Sequence, residues 1–281
     1  MTVPNTNDLP YLIRLLDDDD PSVSPVVSQQ LRKFGGDISQ DIAALGIDVS
    51  RRRKKRLSSL LAEGRRQTLA DEWIVPSRGV ASWEDDWESF EHTLRLLSDF
   101  LHDGVTMRSA LPDSLDLLAD EVRQDLPEPS AAELRDWLFS SGRYCGDKKK
   151  ADACNYFDLC HVLDVRQGNP TSLACLFMLL GRRLGVSVEG CNYPAHFLAR
   201  IQVEGKTSLV DCFHHGRTFD VESLLKVHPK ISEKARAAVL SQGHLGVILH
   251  RYVSEIRNSL LANEHDVAGK FFAQLADSLE Q

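Results

Sequence analysis

Apolar residues recur at helical spacing, every three to four positions, through most of the N-terminal half of the chain. This period places side chains on one face of a helix, so the N-terminal half is predicted to be helical. The stripes that show the pattern are Leu9–Leu16, Val23–Leu31, Phe90–Leu101, Leu111–Leu126 and Leu134–Phe139. Trp83, Trp87 and Trp137 lie in or beside such stripes, and this spacing favours core positions over an aromatic stacking platform.

The pattern changes in the middle of the chain. Leu173–Leu184 is apolar on nearly all sides, which is typical of a central buried helix, and Gly185 is its predicted C-cap. Alternating segments then predict strands at 186–190, Phe197–Val203 and Thr207–Asp211. The last two form a predicted hairpin that turns at Gly205. A helix followed by consecutive antiparallel strands indicates an α+β fold that is mostly helical.

A break in the pattern at Trp73–Trp83, which contains Pro76 and Ser77, marks a boundary. After Asp220 the pattern is helical again. The predicted domains are a helical N-terminal region at 1–79, a core at 80–220 and a C-terminal helical segment at 221–281.

The N-terminal region begins with two short helices on either side of the acidic run Asp17–Asp20, which precedes Pro21. This arrangement resembles one HEAT-like unit over about residues 8–36, without a second copy at a fixed period. A solitary unit cannot bury its own apolar face, so it is expected to pack on the next helices of the chain.

Composition narrows the function classes. The 281 residues carry a formal net charge of -8, and nucleic-acid binding is not favoured because it depends on clustered Lys and Arg. The basic run Arg51–Arg56 is interpreted as a solvated helix start. The sequence has neither the roughly 18 uninterrupted apolar residues of a membrane span nor the pattern of a secretory signal. With six scattered cysteines, a cytoplasmic protein with reduced thiols is expected.

The candidate chemistry comes from three positions in a specific order. Gly168-Asn169-Pro170 starts the buried helix, His196 enters the next strand, and Asp211 ends the strand after that. This is the layout of a Cys-His-Asp thiol enzyme with papain-like architecture. There the helix N-terminus activates the nucleophile, the His takes its proton and the acidic residue fixes the imidazole tautomer. On paired strands His196 and Asp211 can be neighbours on one face.

The segment Val162–Leu173 resembles the VL-x-x-R-x-G-x-P-x-S-L signature of SirB-type transglutaminase-like proteins. Further blocks continue the resemblance in order, at Arg182–Val186, Pro194–Arg200 and Leu209–Gly216. The detailed match runs from about Asn155 to Gly216, with a looser helical match back to about Trp83. Ala195 and Cys212 depart from the family pattern, which has glycine and proline there.

The resemblance implies a papain/transglutaminase-like core with a small antiparallel sheet between helical flanks. It also implies a C-terminal tail of tetratricopeptide-like helices, which Leu245–Tyr252 and Phe271–Leu275 fit. Helical repeats of this kind bind proteins through a concave face.

The resemblance also identifies the nucleophile position. In active members of the family the cysteine precedes the glycine of a later Leu-Gly pair by fifteen residues, and counting back from Gly185 gives Pro170. Proline has no thiol, although its ring suits the first turn of a helix. The expectation is a catalytically inactive protein in which His196 and Asp211 are a triad remnant. Its cleft would serve a protein-interaction or regulatory module.

The predicted cleft residues lie at the helix start and in the loop before His196. They are Gly168, Asn169, Pro170, Ser172, Asn192 and Pro194. The expected partner is a protein of unknown identity, and no cofactor or resident metal is expected.

The sequence leaves three alternatives open. Cys191 could replace the missing nucleophile and form, with His196 and Asp211, a cysteine hydrolase or acyltransferase for peptide or isopeptide bonds. Thr171 and Ser172 are interpreted as helix-capping hydroxyls and Cys175 as packing. The His196–Asp211 pair could also be a purely structural link.

A zinc site is the third alternative. Cys191, His196, Cys212, His214 and His215 supply suitable ligand types, but they lack the two matched ligand pairs of structural zinc sites. His214 and His215 are therefore interpreted as ordinary loop residues.

Overall fold

The structure, a computed structural model, describes residues 4–18, 20, 22–75, 79–149, 152–194, 196–227, 230–241 and 243–280. Several residues used in the predictions lie outside the described residues, namely Asp19, Pro21, Pro76, Ser77 and Ala195. None of the described helices is both long enough and apolar enough to span a bilayer.

Contacts divide the chain into two units. The first unit comprises the chain up to Trp73 together with Asp99–Ser109, and the second comprises Ile74–Ser98 and the chain from Ala110 onward. The division into domains at 1–79, 80–220 and 221–281 stays a prediction.

The first unit is built from helices, as its apolar stripes predict. In the described residues these helices are α1 Leu9–Leu15, α2 Val23–Arg32, α3 Ser39–Ala44 and α4 Arg51–Glu72. Their apolar faces share one core, in which Leu9, Leu31, Leu57 and Leu61 are fully buried. The HEAT-like character of α1 and α2 stays a prediction.

A close backbone contact holds α4 against the turn after α2. A Cβ atom on Gly64 would collide with the carbonyl group of Gly35, so only glycine fits there. The neighbouring Arg65 is partly buried, and its guanidinium donates hydrogen bonds to the carbonyl oxygens of Phe100 (3.2 Å) and Asp103 (3.0 Å). These bonds offset the cost of burying the charge.

The basic run lies on the first turns of α4. Arg51 and Arg52 are exposed, and Arg53 and Arg56 contact the Asp17 carboxylate at 2.6 and 3.5 Å. This geometry agrees with a solvated helix start, in which the acidic residues offset part of the positive charge near the helix N-terminus.

The second unit contains helices and small sheets, and the predicted α+β, mostly helical fold class is confirmed. Its α-helices in the described residues are α5 Trp87–Leu101, whose last three residues belong to the first unit, α6 Leu111–Asp125, α7 Ala131–Arg135, α8 Leu159–Val165, α9 Pro170–Leu184, α10 Val221–Val227, α11 Glu233–Leu240, α12 Leu245–Ala262 and α13 Asp266–Leu279. A π-helical turn at Asp136–Ser140 continues α7. Its strands are β1 Cys145–Gly146, β2 Gln167–Gly168, β3 Glu189–Cys191, β4 Leu198–Val203, β5 Lys206–Asp211 and β6 Arg217–Asp220.

The main sheet is antiparallel, with strand order β3-β4-β5-β6. The predicted hairpin is the β4–β5 pair, which turns at Glu204 and Gly205 with φ values of 50° and 77°. Two successive positive φ values are typical of the tight turns that match strand twist. The first strand begins at Glu189, later than its predicted start at 186, and β6 and the short parallel β1–β2 pair were not predicted.

The predicted central helix is α9, and its residues from Thr171 to Gly181 are all buried. It ends at Gly185, which has the predicted C-cap conformation at φ 71°. Trp83 and Trp137 are buried, as expected for core residues, whereas Trp87 is only half-buried beneath the Arg182 guanidinium.

Replacing Gly64 with Ala is expected to destabilise the protein by about 1–3 kcal/mol, because the new methyl group meets the backbone of Gly35. The measurement is the free energy of unfolding in urea. Ser59→Ala, at an exposed position of α4, is the matched control and is expected to change it by less than about 0.5 kcal/mol. A gain in stability for Gly64→Ala, as in an unobstructed helix, would contradict the close contact.

Candidate functional site

A cleft of about 510 Å³ lies in the second unit beside the N-terminus of α9. Its walls are the first turn of α9, the segment entering β4, the turn after β5 and one face of α12. The polar residues that line it include Asn169, Thr171, His196, His214, Arg251 and Glu255, and Pro170 also lines it. The volume is typical of ligand sites, which span roughly 300–1,000 Å³.

The head of α9 is held by a reciprocal capping box. The Asn169 side chain accepts a hydrogen bond from the Ser172 amide at 2.8 Å, and the Ser172 hydroxyl accepts one from the Asn169 amide at 3.1 Å. Pro170 occupies the first helical position, where a missing N–H has no cost. A Cβ atom on Gly168 would lie 2.8 Å from the Ser172 oxygen, so the cap also requires glycine there. The predicted capping role of Ser172 agrees with this geometry.

The predicted histidine–aspartate pair is formed. His196 Nε2 lies 2.8 Å from Asp211 Oδ1, and the Asp211 side chain is only 10% exposed. Because an ionised carboxylate only accepts hydrogen bonds, Nε2 carries the proton. His196 Nδ1 is therefore the ring nitrogen left for other interactions.

A second imidazole, not predicted as a site residue, binds the same carboxylate. His214 Nδ1 lies 2.8 Å from Asp211 Oδ2, and its backbone amide donates to Oδ1 at 3.1 Å. The His196 and His214 rings are stacked, with centroids 5.6 Å apart and planes 30° apart. The sequence signal was the spacing of Asp211 and His214, three residues apart at a strand end.

The environment of Asp211 keeps it ionised. Burial by itself raises the pKa of this carboxyl, but hydrogen bonds from His196 and His214 outweigh burial and lower the pKa to about 2. The carboxylate is thus a fixed negative charge that orients two imidazole rings towards the cleft.

The structure does not bring Cys191 to His196. Cys191 lies in β3, fully buried in a small apolar cluster with Leu198 and Leu209, and its thiol donates to the Ala238 carbonyl at 3.1 Å. Burial raises the pKa of the thiol, so the reactive thiolate is disfavoured.

The other cysteines near α9 have similar surroundings. Cys175 and Cys212 are completely buried, and burial raises the pKa of both thiols. Cys154 is half-buried behind the cleft wall, with its sulfur 3.0 Å from the Ser259 hydroxyl, and burial raises its pKa too. The thiols considered for the zinc alternative are therefore not gathered around His196.

Helix α12 supplies a polar network that the sequence did not predict. The Glu255 carboxylate accepts hydrogen bonds from the Thr171 hydroxyl at 2.6 Å and from Arg251 Nε at 2.7 Å. Arg251 also donates to the Asn192 side chain at 2.8 Å and to the Tyr193 carbonyl at 2.7 Å. The only available signal was the spacing of Arg251 and Glu255, which places them one turn apart on one helix face.

Of the predicted cleft residues, Asn169 and Pro170 line the cleft beside His196. Gly168, Ser172, Asn192 and Pro194 are described but do not form its lining. Gly168 and Ser172 instead shape the helix cap, and Asn192 holds Arg251. These three residues therefore contribute to the cleft indirectly. The structure shows no supporting role for Pro194.

Replacing Asp211 with Asn is expected to destabilise the protein by about 1–3 kcal/mol, because one acceptor oxygen and the charge that two imidazoles share are lost. The folded pKa of about 2 lies below the ordinary value of 3.8, so this contribution is present above pH 3.8 and is lost as the pH falls through 2. Urea unfolding at several pH values measures both effects.

Asp220→Asn is the matched control for this prediction. Asp220 lies partly exposed at the end of β6, and its side chain accepts a hydrogen bond from the Ser223 amide, which an asparagine oxygen can also accept. Its replacement is expected to leave stability nearly unchanged. Equal stability of the two variants at neutral pH would show that the Asp211 hydrogen bonds contribute nothing.

A family profile and several known proteins are similar to this chain. The profile of the Transglutaminase-like superfamily matches residues 110–254. A UPF0162 protein of Xylella fastidiosa (strain 9a5c) is 32% identical over 219 residues, which are 69% of this chain and 73% of that relative. A UPF0162 protein of Pseudomonas aeruginosa is 37% identical over 120 residues, 42% of each chain. F-box only protein 21 of Mus musculus is 29% identical over 127 residues, 42% of this chain and 19% of that relative.

No solved structure matches the chain. The superfamily match nevertheless extends from the start of α6 into α12 and covers just over half of the 281 residues. It includes the head of α9, the His196–Asp211 pair and Arg251. The chain belongs to the transglutaminase-like superfamily.

Proposed function

We propose that this protein does not perform cysteine-dependent acyl transfer and instead uses its cleft to bind a protein partner. The observation that carries the proposal is Pro170, which lines the cleft at the first position of α9 together with His196. A transglutaminase-like reaction needs a thiolate at such a helix N-terminus, within reach of an imidazole.

The remaining pair has no attacking group of its own. His196 and Asp211 are hydrogen-bonded and can hold or move a proton, but acyl transfer also requires a nucleophile that forms the covalent intermediate. Thr171 supplies the α9 hydroxyl that lines the cleft, and it donates its hydrogen to Glu255. Cys191 directs its thiol to the Ala238 carbonyl and away from the imidazole. A binding role needs none of these groups to react.

The lining of the cleft supports binding of a polypeptide segment. Phe157, Phe197 and Phe213 provide apolar surface, and His196, His214 and Asn258 provide hydrogen-bonding groups around it. Apolar surface combined with oriented polar groups is typical of sites that recognise a ligand. Asp211 and Glu255 hold the polar side chains in place, so binding loses little side-chain entropy.

Two finer assignments belong to the same proposal. The signature at Val162–Leu173 supports membership of the SirB-type branch of the superfamily. All six cysteines are free thiols, which supports a location in the reducing cytoplasm.

Installing a cysteine in place of Pro170 tests the nucleophile argument. Pro170→Cys is expected to give one thiol that reacts with iodoacetamide at least roughly tenfold faster than any native cysteine, because the helix N-terminus and His196 favour its thiolate. Mass spectrometry after timed labelling in EDTA identifies the modified residue. Adding His196→Ala to this variant is expected to slow the labelling.

Thr171→Cys, one residue further along α9, is the matched control, and the half-buried Cys145 and Cys154 give the background rate. Thiol labelling of the unmodified protein is the decisive measurement. Suppose that a single native cysteine is labelled stoichiometrically at the rate expected for Pro170→Cys, and that His196→Ala abolishes this labelling. This result would identify a working nucleophile and overturn the proposal that the protein does not perform cysteine-dependent acyl transfer.

Photo-crosslinking in cells tests the binding role. A benzophenone amino acid at Asn258, an exposed residue of the cleft wall, is expected to crosslink to a discrete protein. The same probe at Glu222, an exposed residue of α10 outside the cleft lining, is the control. Addition of Arg251→Ala should reduce the Asn258 crosslink, because it removes the support of Asn192 and Tyr193. Identical crosslinking patterns from both positions would contradict a binding cleft.

A further inference from the structure

The polar side of the cleft gathers three side chains of the kinds that bind transition metals. His196, Asp211 and His214 each offer one ligand atom, and these atoms all lie within 4.8 Å of one another. Asp211 is at the centre, with His196 Nε2 and His214 Nδ1 each 2.8 Å from one of its oxygens. A histidine–aspartate pair that only fixes a tautomer needs one imidazole on the carboxylate, whereas Asp211 binds two.

We propose that His196, Asp211 and His214 form a binding site for one divalent first-row transition-metal ion of the Zn²⁺ class. The site lies in the cleft of the proposed function and would add a coordination point to it. Two imidazole nitrogens and a carboxylate oxygen are a donor set that suits zinc, cobalt and iron(II) more than magnesium or calcium.

The required movements are small and fall on accessible side chains. In a tetrahedral site with metal–ligand bonds of about 2.0–2.1 Å, ligand atoms are about 3.3 Å apart. The 2.8 Å contact between an imidazole nitrogen and the Asp211 oxygen that binds the ion must therefore open by about 0.5 Å, and any other pair of ligand atoms must approach by about 1.5 Å at most. Both imidazole side chains are partly exposed, at 30% and 44%, so their rings can rotate without displacing core residues.

The charges around the site favour a cation. When both imidazoles bind the ion in their neutral form, the Asp211 carboxylate supplies a negative charge that a divalent ion offsets. Arg251, a basic side chain of the cleft lining, is paired with Glu255 at 2.7 Å. On binding, each ring proton now shared with Asp211 moves to the other nitrogen of the same ring, so neutral imidazoles become ligands without a net change in protons.

Three protein ligands leave at least one coordination position for water or for a donor atom of a partner. His196 and His214 line the cleft, whereas Asp211 is nearly buried behind them, so this position opens towards the cleft. The bound ion would then take a carboxylate, imidazole or thiolate group from a partner segment.

Titration of the EDTA-treated protein with Co²⁺ and with Zn²⁺ tests the site. The expected result is one ion per chain with micromolar or tighter affinity by calorimetry. Co²⁺ should give the visible absorption of a four- or five-coordinate nitrogen/oxygen site. His196→Gln and His214→Gln are each expected to weaken binding by at least roughly tenfold.

His215→Asn is the matched control, because His215 is the exposed neighbour of His214. Its φ of 58° is a conformation that asparagine tolerates. This variant is expected to bind the ion like the unmodified protein. Circular dichroism checks that each variant is folded. Absence of binding, equal binding by all variants, or the intense ultraviolet band of cobalt–thiolate bonds would overturn the proposal.

The outcome is separable from that of the proposed function, because the thiol labelling is performed in EDTA. If the protein binds no metal ion and has no fast-reacting native thiol, only the metal-site proposal fails. If a native thiol reacts fast, the proposal that the protein does not perform cysteine-dependent acyl transfer fails, whatever the cobalt spectrum shows.

Discussion

The first amide groups of a helix have no partner within the helix itself, and the way in which α9 satisfies them shapes the cleft. At the head of α9, Asn169 and Ser172 do so reciprocally, and Gly168 leaves room for the Ser172 hydroxyl. Pro170 needs no partner because it has no N–H. The residues that carry the family resemblance are thus also those that start one buried helix. Their pattern accounts for the helix start with or without any chemistry, and the side chain at position 170 is left on the cleft surface.

Two carboxylates organise the polar groups around this helix start. Asp211, at the end of β5, orients His196 and His214, and Glu255, on α12, joins Thr171 to Arg251. Each carboxylate accepts one hydrogen bond from another chain segment, from His196 for Asp211 and from Thr171 for Glu255, so the cleft is preformed in the absence of a ligand. Binding to a preformed cleft costs less side-chain conformational entropy.

The parts of this architecture that depend on local pattern were predictable from the sequence. The length and burial of α9, its Gly185 cap and the hairpin turning at Gly205 derive from periodicity and turn chemistry. The His196–Asp211 contact was expected from the thiol-enzyme layout and from strand pairing. His214 was considered as a zinc ligand and then interpreted as a loop residue, because its role depends on a turn conformation. Arg251 was not identified, because its role depends on a helix that packs from far along the chain. Cys191 is close to His196 in sequence, yet the alternation of side chains along β3 directs its thiol to the apolar cluster near Ala238.

The groups that the cleft can recognise depend on which atoms its histidines leave free. With Nε2 of His196 and Nδ1 of His214 donating to Asp211, the opposite ring nitrogens are unprotonated acceptors in the neutral state. Such nitrogens accept a hydrogen bond from a peptide N–H, a hydroxyl or an ammonium group, and with a proton they donate to a carboxylate. Selectivity must therefore come from the walls, where Phe157, Phe197 and Phe213 limit the shape and Arg251 is already neutralised. A segment that combines an apolar side chain with one polar group meets both requirements at once.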